Sequence, residues 1–443
     1  MGKLFGTDGV RGKAGHPPLD AETIRRLGAA LARALGGAEA PRFLAGRDTR
    51  ESGTWIEREL AAGIQSQGGQ LTSAGIIPTP AIAYLTPRLG FTAGVVISAS
   101  HNPFEDNGIK VFSGTGEKFT EALEHQVEAS MEGIAAEVVS GFSRTNIDEL
   151  DYRADYLSHL EAILPPAQRT LMRVAIDCAN GATTTVAPEL FKKLGFEFHC
   201  IGCEPNGRNI NLKVGSTAPE LLAKTVVDGG YSLGIAFDGD GDRAIFVDAR
   251  GRVVDGDAVM LLCAKQMKRE GRLKGNAVVA TVMSNIGLEI ALRDAGIDLV
   301  RCAVGDKYVM EEMIARGLSL GGEQSGHVIF SDYLFTGDGL ATSLNVLRTM
   351  AATGRELDDL ASELTTYPQV LVNVRVARRA DLKSIPEIAA VMSSVESRLK
   401  GHGRLLVRYS GTEPLLRVML EGSDETEIRE WADEIVDAVK KHL

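Results

Sequence analysis

The stretch Leu233-Gly-Ile-Ala-Phe237, followed at once by Asp238-Gly-Asp240-Gly-Asp242-Arg243, decides how this chain is read. An apolar run of strand length that stops at glycines and charges is a buried strand whose carboxyl end opens into a loop. Phe43-Leu-Ala45, Val95-Val-Ile97, Val174-Ala-Ile176 and Ala277 to Ala280 have the same form. Helical spacing lies between them, as in Ile24, Leu27, Leu31 and Leu35, closed by Gly36-Gly37. This alternation predicts an α/β fold of largely parallel sheets with functional loops at the strand carboxyl ends. Ala244 to Val254 reads as a hairpin around Arg250-Gly251, so the sheets are mixed. Thr217-Ala-Pro-Glu220 reads as a capping box opening a helix that Gly229-Gly230 ends.

Four units follow. The polar stretch Ser140 to Asp151 reads as a linker, Asp255-Gly-Asp257 caps a new helix, and Tyr367-Pro368 precedes a strand-like Val370 to Val376. The expected boundaries are 1–152, 153–254, 255–367 and 368–443, three α/β units that could descend from one ancestor and a smaller α+β unit. The last helix of that unit sets Ile428, Trp431, Ile435 and Val439 on one face.

Composition narrows the function. The 443 residues carry 48 Lys and Arg against 59 Asp and Glu, a net charge of −11, which argues against nucleic acid as a partner. An anionic ligand would need a local basic pocket. The longest charge-free run, Leu60 to Pro87, is broken by Gln65, Gln67, Gln70, Pro78 and Pro80, so no membrane partner is expected. The N-terminus has no apolar signal-peptide core, and with five sparse cysteines the expectation is a cytoplasmic protein with reduced thiols, including the Cys200/Cys203 pair.

Four loops carry chemistry, one in each unit. Asp238, Asp240 and Asp242 place three carboxylates at alternate positions, an arrangement that is costly without a cation and suits Mg²⁺. An EF-hand is excluded because its glycine position holds Arg243 and its closing acid position holds Ala249. Ser98-Ala-Ser100-His101-Asn-Pro103 offers a hydroxyl beside an imidazole, with Lys110 further on, a set that suits a phosphorylated serine; taken alone it reads more readily as a serine-rich turn before Pro103. Glu323, Ser325 and His327 alternate along a loop that also holds Gly322 and Gly326, as polyol recognition or a hydrogen-bonded structural loop would require. Arg408, Ser410, Gly411 and Thr412, with Arg417, form either a phosphate grip or a solvated turn.

Taken in order after Phe5-Gly-Thr-Asp-Gly-Val-Arg11-Gly, these loops resemble the α-D-phosphohexomutase superfamily over essentially the whole chain, most closely its glucosamine-phosphate branch. The resemblance implies a four-domain architecture and a phosphoserine at Ser100. It implies a Mg²⁺ site of Ser100, Asp238, Asp240 and Asp242, with Arg11, His101, Lys110 and Arg243 around the transferring phosphoryl group. Lys110 and His101 are the implied proton handlers, and Glu323, Ser325 and His327 the implied sugar contacts. Arg408, Ser410, Gly411, Thr412 and Arg417 would hold the phosphate that is not reacting. The implied partner is a hexosamine phosphate, with glucosamine 1,6-bisphosphate as intermediate, and the resemblance leaves room for a homodimer. Tyr409 departs from the Pro common in this branch, while Gln324, between Glu323 and Ser325, matches the branch where others carry Met. The rival readings are a phosphomannomutase or phosphoglucomutase, a Mg²⁺-dependent phosphatase using Asp238 as nucleophile, and a non-catalytic sugar-phosphate binder.

Overall fold

The computed structural model describes residues 4–6, 8–134, 147–169, 172–399, 401–409 and 415–443. Their strands form four sheets. The first is ordered Val10–Lys13, Asp106–Ser113, Ala93–Ile97, Arg42–Arg47, Gln70–Ile76 and Asp148–Glu149. The second is ordered Val253–Val254, Ala244–Asp248, Leu233–Phe237, Arg173–Asp177 and Glu197–Ile201. The third is ordered Asp298–Cys302, Ala277–Thr281, Leu320–Gly322 and Val328–Phe330. The fourth is antiparallel throughout, ordered Gln369–Arg375, Leu415–Glu421 and Arg404–Tyr409.

The first three sheets share one plan. Counted from Arg42–Arg47, Arg173–Asp177 and Ala277–Thr281, four successive strands lie in the spatial order second, first, third, fourth. The first three of each set run parallel and the fourth runs antiparallel. The chemistry-bearing loops therefore occupy one topological position, between the third strand and the returning fourth: Ile97 to Asp106, Phe237 to Ala244 and Gly322 to Val328. Both Ala93–Ile97 and Leu233–Phe237 are buried at every residue, which is why they read as unbroken apolar runs rather than alternating ones.

By packing, the described chain divides into two compact units, Met1–Met283 with Ile297–Ser362, and Ser284–Gly296 with Glu363–Leu443. In the first, the helices Ala21–Leu35 and Gly53–Ser66 pack so closely that a Cβ on Gly28 would lie 2.3 Å from the Leu60 carbonyl oxygen. In the second, the helices Pro386–Leu399 and Glu425–His442 bury Ile388, Val395, Ile428 and Ile435 with the fourth sheet's Val370 and Leu416. The loop before Ile286–Asp294 belongs here, with the Asn285 amide donating to the Tyr367 carbonyl at 2.9 Å and accepting from the Tyr367 N–H at 3.0 Å.

Three expectations change. The helix after Thr217 runs Glu220–Gly229 and starts without a side-chain cap; Ser216 and Ala218 are drawn into a turn by bonds from their N–H groups to the Phe237 and Gly215 carbonyls. The expected linker lies partly outside the described residues, and its end, Asp148–Glu149, adds an edge strand to the first sheet. Cys200 and Cys203 are joined as a disulfide, because the turn at Gly202 (φ 59°) folds the two side chains together; Cys178, Cys263 and Cys302 are free and buried. No described helix is long and apolar enough to cross a membrane.

Candidate active site

Ser100 begins the site. It is 1% exposed and sits at φ 53°, a left-handed conformation that a non-glycine residue adopts at a cost. Its N–H donates to Ser98 Oγ at 2.9 Å. Its carbonyl accepts from Arg50 Nη2 at 3.1 Å and from Asn211 Nδ2 at 2.9 Å, and the same two side chains hold the Asn102 carbonyl. The strained turn is thus clamped from two sides. Its hydroxyl donates to Asp238 Oδ2, with His101 Nδ1 at 3.3 Å. The first and second sheets therefore meet where the serine and aspartate loops meet.

The aspartate loop is buried from Asp238 to Asp242, and the carboxylates of Asp238, Asp240 and Asp242 offer oxygens within 4.8 Å of one another. Asp238 Oδ1 accepts from the N–H groups of Gly241 and Arg243 at 3.0 and 3.2 Å. Thr79 Oγ1 donates to Asp240 Oδ2 at 2.6 Å. Lys110 Nζ lies 2.9 Å from Asp240, 3.2 Å from Asp242 and 3.2 Å from Asp8. Burial, with Asp242 and Asp240 alongside, holds the Asp238 carboxyl well above the usual carboxylate range. Burial also opposes charge on Asp242, but Lys110, His327 and Arg243 outweigh it and bring that group to about 2. On Lys110 burial is likewise overcome, by Asp240, Asp242 and Asp8, so the ammonium titrates well above an ordinary lysine. His101 moves the other way: burial, then Arg243 and Arg11, lower its pKa and favour neutral imidazole.

Above these loops lies a cleft of about 550 Å³, lined by Asp8, Arg11, His101, Asp242, Arg243, Gly305, Asp306 and Glu323. Arg11 Nη1 donates to the Ala99 carbonyl at 3.3 Å and pairs with Asp8. Glu323 Oε1 accepts from the Gly305 N–H at 3.2 Å, and the exposed Ser325 donates to Glu323 Oε2 at 3.5 Å. The structure thus brings Ser100, His101, Lys110, Arg11, Arg243, the three aspartates and Glu323 together. His327 is 1% exposed and does not itself line the cleft: its Nε2 accepts from the Gly337 N–H at 3.2 Å and lies 3.3 Å from Asp306, in a buried cluster with Asp306 and Asp242 whose polar atoms are within 4.8 Å of one another. Gln324 also turns away from the cleft, its Nε2 donating to Asp255 Oδ2 at 3.0 Å, and Asp255 caps the helix Gly256–Arg269. In the second unit Arg408 and Arg417 are direct cross-strand partners on neighbouring antiparallel strands. Ser410, Gly411 and Thr412 lie outside the described residues. Tyr409 anchors its strand end, its hydroxyl donating to the Ala380 carbonyl at 2.8 Å and accepting from the Ala380 N–H at 3.0 Å.

Four models of phosphoglucomutase/phosphomannomutase domains match in sequence: α/β/α domain I over 2–138, domain II over 154–251, domain III over 255–367 and the C-terminal domain over 371–438. The chain belongs to the phosphoglucomutase/phosphomannomutase family. A phosphoglucosamine mutase of Geobacter sp. (strain M21) is 49% identical, covering 100% of this chain and 99% of that protein. One from Solibacter usitatus (strain Ellin6076) is 48% identical, covering 99% of each. A solved phosphoglucomutase/phosphomannomutase family protein from Burkholderia thailandensis shares the fold with a TM-score of 0.80 at 22% identity, over 99% of this chain and 97% of its own.

Within this family member the aspartate loop meets the chemical demands of a hard divalent cation. Asp240 Oδ1 and Asp242 Oδ1 are buried oxygens without hydrogen-bond partners, and the donors on offer are carboxylates and one hydroxyl. Sequence reading missed Arg50, Asn211, Asp8 and Asp306. Arg50 carried a usable signal: it closes the charged run Arg47-Asp48-Thr-Arg50 at the carboxyl end of a buried strand, where solvation alone does not account for charge.

Proposed function

We propose that this protein interconverts glucosamine 6-phosphate and glucosamine 1-phosphate, with Ser100 carrying the phosphoryl group and glucosamine 1,6-bisphosphate as the intermediate. The observation that carries this reading is the Ser100 hydroxyl, buried against Asp238 beneath a cleft that Arg11, Arg243 and Glu323 share. The high identity to phosphoglucosamine mutases over whole chains supports the hexosamine as substrate.

Phospho-Ser100 donates its group to the free sugar hydroxyl, the bisphosphate turns over, and its other phosphoryl returns to Ser100. Asp238, Asp240, Asp242 and the serine phosphate would hold Mg²⁺, which when bound offsets charge on the transferring oxygens. Arg11 and Arg243 supply cations at the cleft surface, where charge spreads over the phosphoryl oxygens of a loose transition state. Lys110, kept charged by three carboxylates, acts as a fixed cation rather than a base. That leaves His101 as proton handler: neutral by environment and 3.3 Å from Ser100 Oγ, its Nδ1 can take the hydroxyl proton as the phosphoryl returns. Glu323 and Ser325 would orient the sugar, and Arg408, Ser410, Gly411, Thr412 and Arg417 would grip the distal phosphate. The expected domains are 1–152, bearing the phosphoserine, 153–254 the metal loop, 255–367 the sugar loop and 368–443 the phosphate loop. No feature requires a membrane or nucleic acid, and the cytoplasm is the proposed location.

The test is Ser100→Ala beside Ser98→Ala. Intact-mass spectra of the unmodified protein should show a fraction heavier by one phosphoryl group at Ser100. Ser100→Ala should lose that species and mutase turnover by about 10³-fold or more. Ser98→Ala should keep the phosphoryl group but turn over more slowly, because Ser98 Oγ accepts the Ser100 N–H. Full activity in Ser100→Ala would overturn the mechanism, and equal use of glucose or mannose phosphate would overturn the substrate.

A further inference from the structure

At one edge of the second sheet three sulfurs converge. Cys178 follows the strand Arg173–Asp177, and Cys200 lies in its neighbour Glu197–Ile201, two residues before the turn that carries Cys203. The three Sγ atoms lie within 4.8 Å of one another, with Cys178 3.9 Å from Cys200. We propose that Cys200 and Cys203 form a reversible thiol–disulfide site, with Cys178 as a buried neighbour, and that its state is transmitted to the Ser100 loop.

The transmission runs through named bonds. The N–H groups of Cys178 and Asn180 donate to the Ile201 and Gly202 carbonyls at 3.1 and 2.6 Å, and the Glu204 N–H donates to Asn180 Oδ1 at 3.0 Å. The turn containing Cys203 is thereby tied to Ala179 and Asn180, both left-handed at φ 54° and 49°. The Ala179 carbonyl accepts from the Asn211 N–H at 2.9 Å, and Asn211 Nδ2 clamps the Ser100 and Asn102 carbonyls. Three hydrogen-bonded steps therefore separate the Cys200/Cys203 turn from the residue proposed to carry the phosphoryl group. Cys200 and Cys203 are half-buried and open to a small reagent, whereas Cys178 is fully buried and its thiol is pushed up to about 12 by burial, so it stays protonated and silent.

The chemistry is exchange with a small dithiol. One reagent thiolate attacks a sulfur of the pair, the S–S bond breaks, and the other cysteine leaves as a thiolate that takes a proton. The second reagent thiol then closes on the first, freeing the remaining cysteine as a thiol. Two electrons and two protons pass to the protein, and the dithiol becomes a cyclic disulfide.

The functional consequence rests on the Ser100 reading, so the test separates the two. The intact protein is treated with dithiothreitol and labelled with a maleimide under native conditions. Two new labels are expected, on Cys200 and Cys203. Amide exchange over residues 98–102 should quicken, and turnover should fall, each by about fivefold, the worth of one displaced hydrogen bond. Oxidised glutathione should restore both. Cys203→Ser should lose the exchange and turnover responses, while Asn211→Ala should keep the labelling response and lose the turnover response. Unchanged labelling, unchanged exchange, or stoichiometric metal release on labelling would each overturn the proposal. Absence of mutase turnover in both redox states would strike the Ser100 reading instead, leaving labelling and exchange to decide the thiol site.

Discussion

The loops at 238–243 and 323–327 occupy the same position in successive sheets of one plan, yet they are built in opposite ways. The aspartate loop is buried, its carboxylates crowded onto Lys110, Thr79 and backbone N–H groups. The glutamate loop is partly open: Glu323 reaches the cleft, Ser325 is exposed, and Gln324 and His327 point back into the protein. One scaffold position thus serves as a rigid charge store in one copy and as an adaptable contact in the next. A cation site tolerates no slack in its ligands, whereas sugar hydroxyls can be met through adjustable hydrogen bonds, so the two loops should respond differently to substitution.

The largest difference should come from Asp240→Asn. Removing one ligand charge from the buried loop is expected to lower kcat on the order of 10³-fold, measured with Mg²⁺ varied to saturation. Undiminished turnover would mean that the buried carboxylates are structural, and the contrast between the loops would collapse.

A second test concerns Asp338, whose N–H-capping carboxylate also accepts from the Tyr156 hydroxyl at 2.8 Å. Where Asp242 is held near 2 by cations, burial pushes Asp338 up to about 6. A folded-state pKa above the unfolded one favours folding most at low pH, and that contribution is lost as pH rises through about 6. Asp338→Asn should therefore flatten the fall in stability between about pH 4 and 7 by on the order of 2 kcal/mol, read from urea midpoints. A parallel pH profile for the two proteins would contradict the assignment.

Arg50→Lys keeps the charge beside Asp48 but loses the planar fork that holds two carbonyls. It is expected to lower kcat about tenfold with KM little changed, since the clamp orients Ser100 without touching substrate. A change confined to KM would move Arg50 into the binding surface.

Gln324→Met should have the smallest effect, and it is informative for that reason. The amide belongs to the helix cap at Asp255, so the substitution should cost about 1 kcal/mol of stability in thermal melts. It should leave the preference for glucosamine over glucose phosphate unmoved. A narrowed preference would show that the open loop reads the C2 substituent after all.

The fold and the reacting loops were legible because buried parallel strands concentrate apolar residues into short runs and leave polar residues only where the chain emerges. Leu233 to Phe237 and Val95 to Ile97 are such runs. Asn211, Asp8 and Asp306 were not legible, because each acts on a group more than a hundred residues away, whereas Arg50, whose carbonyl partners lie about fifty residues on, showed only as a charged run at a strand end. Asn211 is one asparagine in a polar loop until its amide is seen on the Ser100 carbonyl. His327 shows the converse difficulty: it alternates with Glu323 and Ser325 in sequence, but the tight turn buries it while Ser325 stays exposed. The capping box at Thr217 failed similarly, since its sequence also fits the turn that forms there.

Units that inheritance can copy one at a time need not fold one at a time. Within the first compact unit, Lys110 meets Asp240 and Asp242, Lys118 meets Asp306, and Lys307 meets Glu124 at 3.2 Å, each bond joining different sheets' segments. A piece comprising 1–152 alone would expose or strand Lys110, Lys118 and Glu124 without their partners, and uncompensated charge at a formerly buried surface favours unfolding. Calorimetry of the whole chain should accordingly resolve one broad-scale cooperative transition for Met1–Met283 with Ile297–Ser362, and limited proteolysis should not release its individual sheets as stable fragments.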